Sequence, residues 1–309
     1  MIQKIKYKDF IWLNIKEPTK KDIDYLAENF HFHPLILEEL RKPSLRSHID
    51  HWQDYLYFVY HIPEFERKIS SSQPKEIDFL LTKTHLITVH YERVKILEAV
   101  IKKIKDDEKE MKFYFEDGPG FLLYKILKES TSYSLRQLAH IKEKISLVEK
   151  EIFDKKASIK KQEQLVQSIS LIKRDILNFQ LTSHPHQKLL ESLFLEGNKF
   201  FGRRFKIYFS SLAQEHLRVE DNLENYQKVL ESLETTCNNL VNLRINEVMK
   251  IFTILAFITF PLMLFTSMFG MNTTHTPILG CQYDFWLIIF IMTSLTVLMY
   301  FYFKSKRWM

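Results

Sequence analysis

The sequence predicts an α+β membrane protein: an N-terminal α/β domain on the cytoplasmic side, a long helical stalk and two C-terminal transmembrane helices. Three observations predict it. First, charge stops near the end of the chain. After Lys250 no Asp, Glu, Lys or Arg occurs until Asp284, a gap of 33 residues, and after Asp284 none occurs until Lys304, a gap of 19. Second, apolar residues step by three and four from about Gly120 onward, the period of a helix with one buried face. Third, β-branched and aromatic runs bounded by turn residues are confined to roughly the first 115 residues. The expected boundaries are 1–120 for the α/β domain, 121–249 for the stalk, and 250–309 for the membrane part, with spans at about 250–270 and 285–303.

Composition sets outer limits. The 309 residues include 44 Lys+Arg and 38 Asp+Glu, for a net charge of +6, with 46% hydrophobic residues, six glycines and two cysteines. Two cysteines cannot build a disulfide framework. Six glycines exclude collagen-like and linker-rich architectures. The charge excess is mild and forms no concentrated stripe, so no nucleic-acid partner is expected. The slightly negative mean hydropathy is that of a soluble protein only because it averages over two unlike regions.

In the N-terminal region, Phe10–Ile15, Tyr55–Ile62, Ile77–Thr82 and Leu86–His90 read as strands. Thr19 to Phe30 reads as a helix with Thr19 as its N-cap, and His33–Arg41 as a second, shorter one. Ser70–Pro74 reads as a loop between strands. Together these make an α/β domain with a mixed sheet. Next, Leu138, Ile141, Ile145, Val148 and Ile152 mark one long helix. Leu165, Ile169, Ile172, Ile176 and Phe179 mark another, which His184-Pro185 is expected to interrupt. The longest run is Leu212, His216, Val219, Leu223, Tyr226, Leu230, Leu233, Cys237 and Leu240, a heptad seam. No Pro or Gly falls between Arg203 and Phe260, so one helix of roughly 100 Å, at 1.5 Å per residue, is expected to run into the first span.

A span needs about 20 mostly apolar residues. Ile251 to about Met268 and Phe285 to Phe303 qualify. The start, MIQKIKYKDF, lacks the apolar run of a signal peptide. Lys304, Lys306 and Arg307 follow the second span, whereas the loop from Asn272 to Tyr283 holds no Lys or Arg. The positive-inside rule then puts both termini in the cytoplasm and the loop outside, in a cell (inner) membrane crossed twice. Trp286 lies near one edge of the second span and Tyr300, Tyr302 and Trp308 near the other, as an aromatic belt does.

Within the first span Asn246, Thr253, Phe260 and Ser267 are spaced by seven, with Met249, Ala256 and Met263 between them. One face therefore carries an amide, hydroxyls, small groups and thioethers. Such a face suits a helix–helix interface. It equally suits a pore lining, which two spans can form only in an oligomer around an axis. The pattern leaves both open.

The span ends Ser267-Met268-Phe269-Gly270-Met271-Asn272. Gly-Met-Asn at the outer end of the first of two C-terminal spans resembles the signature of the CorA family of magnesium and cobalt transporters. The stretch NEVMKIFTILAFITFPLMLFTSMFGMN (246–272), the tail Tyr302–Trp308, and the phrases WLNIKEPT, HPLILEEL, DYLYFVYHI and ITVHYE are also similar to blocks of that family. The resemblance implies a homopentamer that takes up Mg2+, with Co2+ or Ni2+ as alternatives. The membrane potential would drive it, and no cofactor would be required. It implies a selectivity filter of Gly270, Met271 and Asn272, with Asn272 contacting the hydrated ion. Asn246, Met249, Phe252, Thr253, Ala256, Phe260, Met263 and Ser267 would face the pore. Mg2+ gives up water reluctantly, so a ring of amide oxygens accepting hydrogen bonds from a hydrated ion is a sensible filter.

Two departures from the family pattern follow. The loop after the motif, Thr273–Ile278, holds no acid. Ser211 and Thr235 stand where the family carries acids that bind regulatory Mg2+, so feedback through those positions is not expected; Glu215, Glu220, Asp221, Glu231 and Glu234 are the nearby acids. The rival readings are a zinc transporter of the ZntB branch and a non-conducting membrane-anchored sensor or scaffold. The pairs His31/His33 and His184/His186 invite the zinc reading but lack a third ligand. No HExxH, GxSxG or P-loop is present, so no enzyme is expected.

Overall fold

A computed structural model describes residues 2–44, 47–52, 54–153, 159–271 and 282–306. The chain forms two compact units, residues 1–234 and 235–309.

The first unit is built on six strands: β1 (Ile2–Tyr7), β2 (Phe10–Lys16), β3 (Ile49–His51), β4 (Leu56–Glu66), β5 (Ser71–Leu81) and β6 (His85–His90). They lie in the order β1-β2-β6-β5-β4-β3. Only β2 and β6 run parallel; the other neighbours are antiparallel. The expected mixed sheet is therefore present, with β1 and β3 as edges that the sequence patterns did not single out. Strand alternation gives each face its own core. Tyr57, Val59, Leu80, Ile87 and Val89 pack under α1 (Lys20–Asn29) and α2 (Pro34–Glu39), against Ile23, Leu26, Ile36 and Leu40. Leu56, Phe58, Tyr60, Phe79 and Leu81 face the other way. They meet α3 (Lys95–Asp106), α4 (Glu108–Phe115), α5 (Pro119–Ile152), and parts of α6 (Ile159–Phe201) and α7 (Arg203–Phe269).

Local signals explain several boundaries. Thr19 caps α1 as expected, in a reciprocal capping box with Asp22, which satisfies two free backbone donors. Gly118, at φ +85°, sets Pro119 at the first position of α5, where a missing N–H costs nothing. Gly202, at φ +86° with no atom near the missing Cβ, turns α6 into α7. The left-handed backbone, not crowding, selects glycine there.

Two expectations are corrected. Ser71–Pro74 are not loop; they extend β5 along β4, and the turn is confined to residues 67–70. The reason is distant in sequence. Asp175 on α6 is buried and accepts hydrogen bonds from Ser72 N (2.7 Å) and Ser72 Oγ (2.8 Å), while Asn178 Nδ2 donates to Ser71 Oγ at 2.9 Å. Pro63 and Pro74 sit opposite each other in this ribbon. Val59 N donates to His48 on the β3 side. Pro63, four residues on, turns its nitrogen to the same side, away from β5, so the ladder loses no bond. The second correction concerns Pro185, which lies inside a continuous α6. The carbonyl it frees belongs to Leu181, whose side chain is 77% exposed, so water can satisfy it. Around the break α7 holds α6: His216 Nε2 bonds Ser183 O at 3.1 Å, and Ser183 Oγ donates to Glu220.

The heptad seam of α7 is buried at Leu212, His216, Val219, Leu223, Leu230, Leu233 and Cys237, with Tyr226 half-buried and Leu240 exposed. As expected, α7 continues without interruption to Phe269, across Pro261.

Candidate functional site

The second unit consists of the C-terminal part of α7 and of α8 (Asp284–Ser305). Both carry windows long and apolar enough to cross a membrane. Its side chains sort into two faces of α7. Ile254 is buried, and Ile258, Pro261, Leu262, Phe265 and Phe269 are half-buried. At 100° per residue these lie on one stripe. Phe257 meets Phe303 of α8 edge-on, with ring centroids 6.4 Å apart. The heptad row predicted from the sequence falls on the opposite side. Asn246, Ala256 and Ser267 are exposed, as are Met249, Phe252, Phe260 and Met263, the last two at 68% and 66%. Thr253, at the row's margin, is half-buried.

The chemistry of the row is weakly polar. Thr253 Oγ1 donates to Met249 O at 2.8 Å, which leaves its oxygen as an acceptor only. An acceptor suits the outward-pointing hydrogens of a hydrated cation. Gly270 ends α7, its N–H shared between Thr266 O (3.0 Å) and Ser267 O (3.2 Å). It is not among the residues with positive φ, and a Cβ there would meet only those two carbonyl oxygens, at 3.4 and 3.6 Å. Within one chain the position therefore does not demand glycine. Met271 is exposed. Asn272, the Thr273–Ile278 loop, Cys281, Arg307 and Trp308 lie outside the described residues.

The other candidates are scattered. Ser211 is half-buried beside a groove of about 380 Å3 lined by Phe194, Lys206, Ile207, Ser210 and Gln214, which includes no carboxylate. Thr235 is exposed, two dozen residues further along the same helix. Of the nearby acids, Glu234 pairs with Lys173 at 2.9 Å, Glu231 accepts from Gln227, and Glu220 faces Ser183. Three of the four paired histidines have local partners. His33 accepts from Leu35 N at the start of α2 and stacks on Trp52. His184 is exposed, 3.7 Å from Glu220, whereas His186 is buried against Tyr60. Among the described residues no three His, Cys, Asp or Glu side chains come together as a metal site. Sequence patterns do not separate Ile254, Phe257 and Phe303 as the hairpin contacts, because most of their neighbours are equally apolar.

An N-terminal α/β unit, a helix of 67 residues and a terminal pair of apolar helices define a two-span membrane protein whose first span is the end of its longest helix. The chain belongs to a family with that architecture: the model of the CorA-like Mg2+ transporter protein family matches residues 7–307. Among characterised relatives, the cobalt/magnesium transport protein CorA of Thermotoga maritima is 22% identical over 299 residues, covering 96% of this chain and 83% of its own. The cobalt/magnesium transport protein CorA of Methanocaldococcus jannaschii is 23% identical, covering 99% and 94%. The complete structure of the CorA magnesium transporter from that organism superposes with a TM-score of 0.85 at 21% identity, covering 99% of this chain and 94% of that one. The fold class expected from the sequence is thus the observed one.

Proposed function

We propose that the chain assembles into a homopentamer that admits hydrated Mg2+, and Co2+ as a second cargo, through a central pore lined by the exposed row of α7. One observation carries this reading. The predicted row lies on the side of α7 away from α8, so a single chain leaves it uncovered. Copies arranged about an axis would place Asn246, Met249, Phe252, Thr253, Ala256, Phe260, Met263 and Ser267 around one channel. Rings of Met249, Phe252 and Phe260 are apolar and would gate by dewetting. Gly270, Met271 and Asn272 would form the outer filter. Since one chain does not require glycine at 270, its value lies in letting neighbouring copies approach closely.

Lys304, Lys306 and Arg307 favour cytoplasmic termini. An inside-negative potential of 100 mV then favours entry of a divalent ion by about 4.6 kcal/mol, twice the single-charge value. The groove beside Ser211 carries Lys206 and no acid, which supports a pore without magnesium feedback at that position. The zinc reading is less supported: the relatives above are named for magnesium and cobalt, His33 caps a helix and His186 packs in the interior. A purely structural anchor would not need a filter.

Flux into proteoliposomes with Mg2+, Co2+, Ni2+ and Zn2+ offered separately tests the cargo. Uptake of Mg2+ and Co2+ is expected to exceed that of Zn2+. Zinc-selective uptake would favour the rival branch, and no uptake of any ion would favour the anchor.

A further inference from the structure

Two histidines sit side by side inside the first unit, their rings tilted at 56°, in a place that offers a positive charge little welcome. His186, on α6, is 2% exposed and stacks on Tyr60 of β4 with ring centroids 4.0 Å apart. His216, on the α7 seam, is 3% exposed, and its ring lies 5.3 Å from that of His186. His186 bonds the His61 backbone, and its Nε2 has no partner among the described residues. His216 Nε2 bonds Ser183 O at 3.1 Å.

The charged and titratable groups around them come from four elements. His61 on β4 faces His186, and Glu76 on β5 holds His61 at 3.2 Å. On α6, His184 stands near His216. On α7, Glu220 lies 3.6 Å from His216. Thus, among the described residues, one carboxylate serves His216 and none reaches His186.

We propose that His186 and His216 form an acid-sensitive latch: while both are neutral they hold α6 and α7 against β4, and cytoplasmic acidification loosens that junction and changes transport. The direction of the titration agrees. Burial, with His216 and His61 adding to it, holds His186 well below the usual histidine range, and burial lowers His216 despite Glu220. A depressed histidine stabilises the fold above its unfolded value and loses that contribution as pH falls below about 6.5. The effect on transport rests on the reading of the chain as a cation transporter; the effect on the junction does not. His216 lies on the same continuous helix as the proposed pore row.

The test is hydrogen exchange on the full-length protein in detergent, with rates corrected for intrinsic pH dependence. A histidine kept neutral when folded should cost about tenfold in protection between pH 7.5 and 5.5. Segments 179–193 and 209–223 are expected to lose ten- to a hundredfold in the wild type. His186→Phe, which keeps the stacked ring, should remove about tenfold of that loss, and His216→Gln provides the same comparison through the other ring. Unchanged protection in the wild type, or a loss in both variants as large as that of the wild type, overturns the latch. In vesicles, acidifying the side facing the N-terminal unit should change wild-type Mg2+ uptake, and His186→Phe should reduce that change. Identical pH profiles overturn the coupling, whereas absent uptake at every pH contradicts the transporter reading and leaves the exchange result to stand.

Discussion

Asp78 shows how a single buried side chain can set a pH response. It is 1% exposed, accepts a hydrogen bond from Tyr91 Oη at 2.6 Å, and its Oδ1 has no partner among the described residues. Burial pushes its carboxyl well above the usual carboxylate range; the Tyr91 hydrogen bond opposes this, and neighbouring Glu76 adds to it. A raised carboxyl adds stability while protonated and loses it as pH rises through its native value. Asp78→Asn retains an acceptor for Tyr91 and needs no ionisation. It is therefore predicted to raise the unfolding midpoint of the full-length protein at pH 8, with little gain at pH 4. Parallel pH profiles for variant and wild type would contradict this. Nothing in the local sequence IDFLL marks Asp78 as buried except its place in an otherwise apolar strand.

At the scale of elements, legibility followed the range of the forces involved. The α1 cap at Thr19, the long α7 and the two spans rest on neighbouring residues or on unbroken apolar runs, and all were readable. The α3 stripe of Ile96, Leu97, Val100, Ile101 and Ile104 is equally periodic but follows directly on stronger strand signals. Ser71–Pro74 and Pro185 depart from their local signals because their conformations depend on partners far along the chain, Asp175 and Asn178 in one case and His216 and Glu220 in the other. The continuous α6 makes a prediction. Pro185→Ala restores the N–H that Leu181 O lacks and removes the ring's clash with that carbonyl, so stability should rise by about 1–3 kcal/mol. An increase in denaturant midpoint at unchanged slope would show it. A decrease would mean that the proline geometry itself positions His186.

For the whole molecule, the heptad row alone left a packing face and a pore lining equally open. The structure adds that α8 packs on the other side of α7, and the family match over residues 7–307 adds the transporter context. The proposed filter is legible in sequence at Gly270–Asn272, while nothing within one chain requires glycine at 270. The central claim is that a hydrated divalent ion passes Asn272 and the α7 row, driven by membrane potential alone. The most direct measurement is Mg2+ uptake into proteoliposomes under an inside-negative potassium diffusion potential with no pH gradient, comparing wild type with Asn272→Ala. The account predicts uptake by the wild type and a loss of at least about tenfold in the variant, equivalent to about 1.4 kcal/mol at the filter. Undiminished uptake by Asn272→Ala, or wild-type uptake that requires a proton gradient, would contradict it.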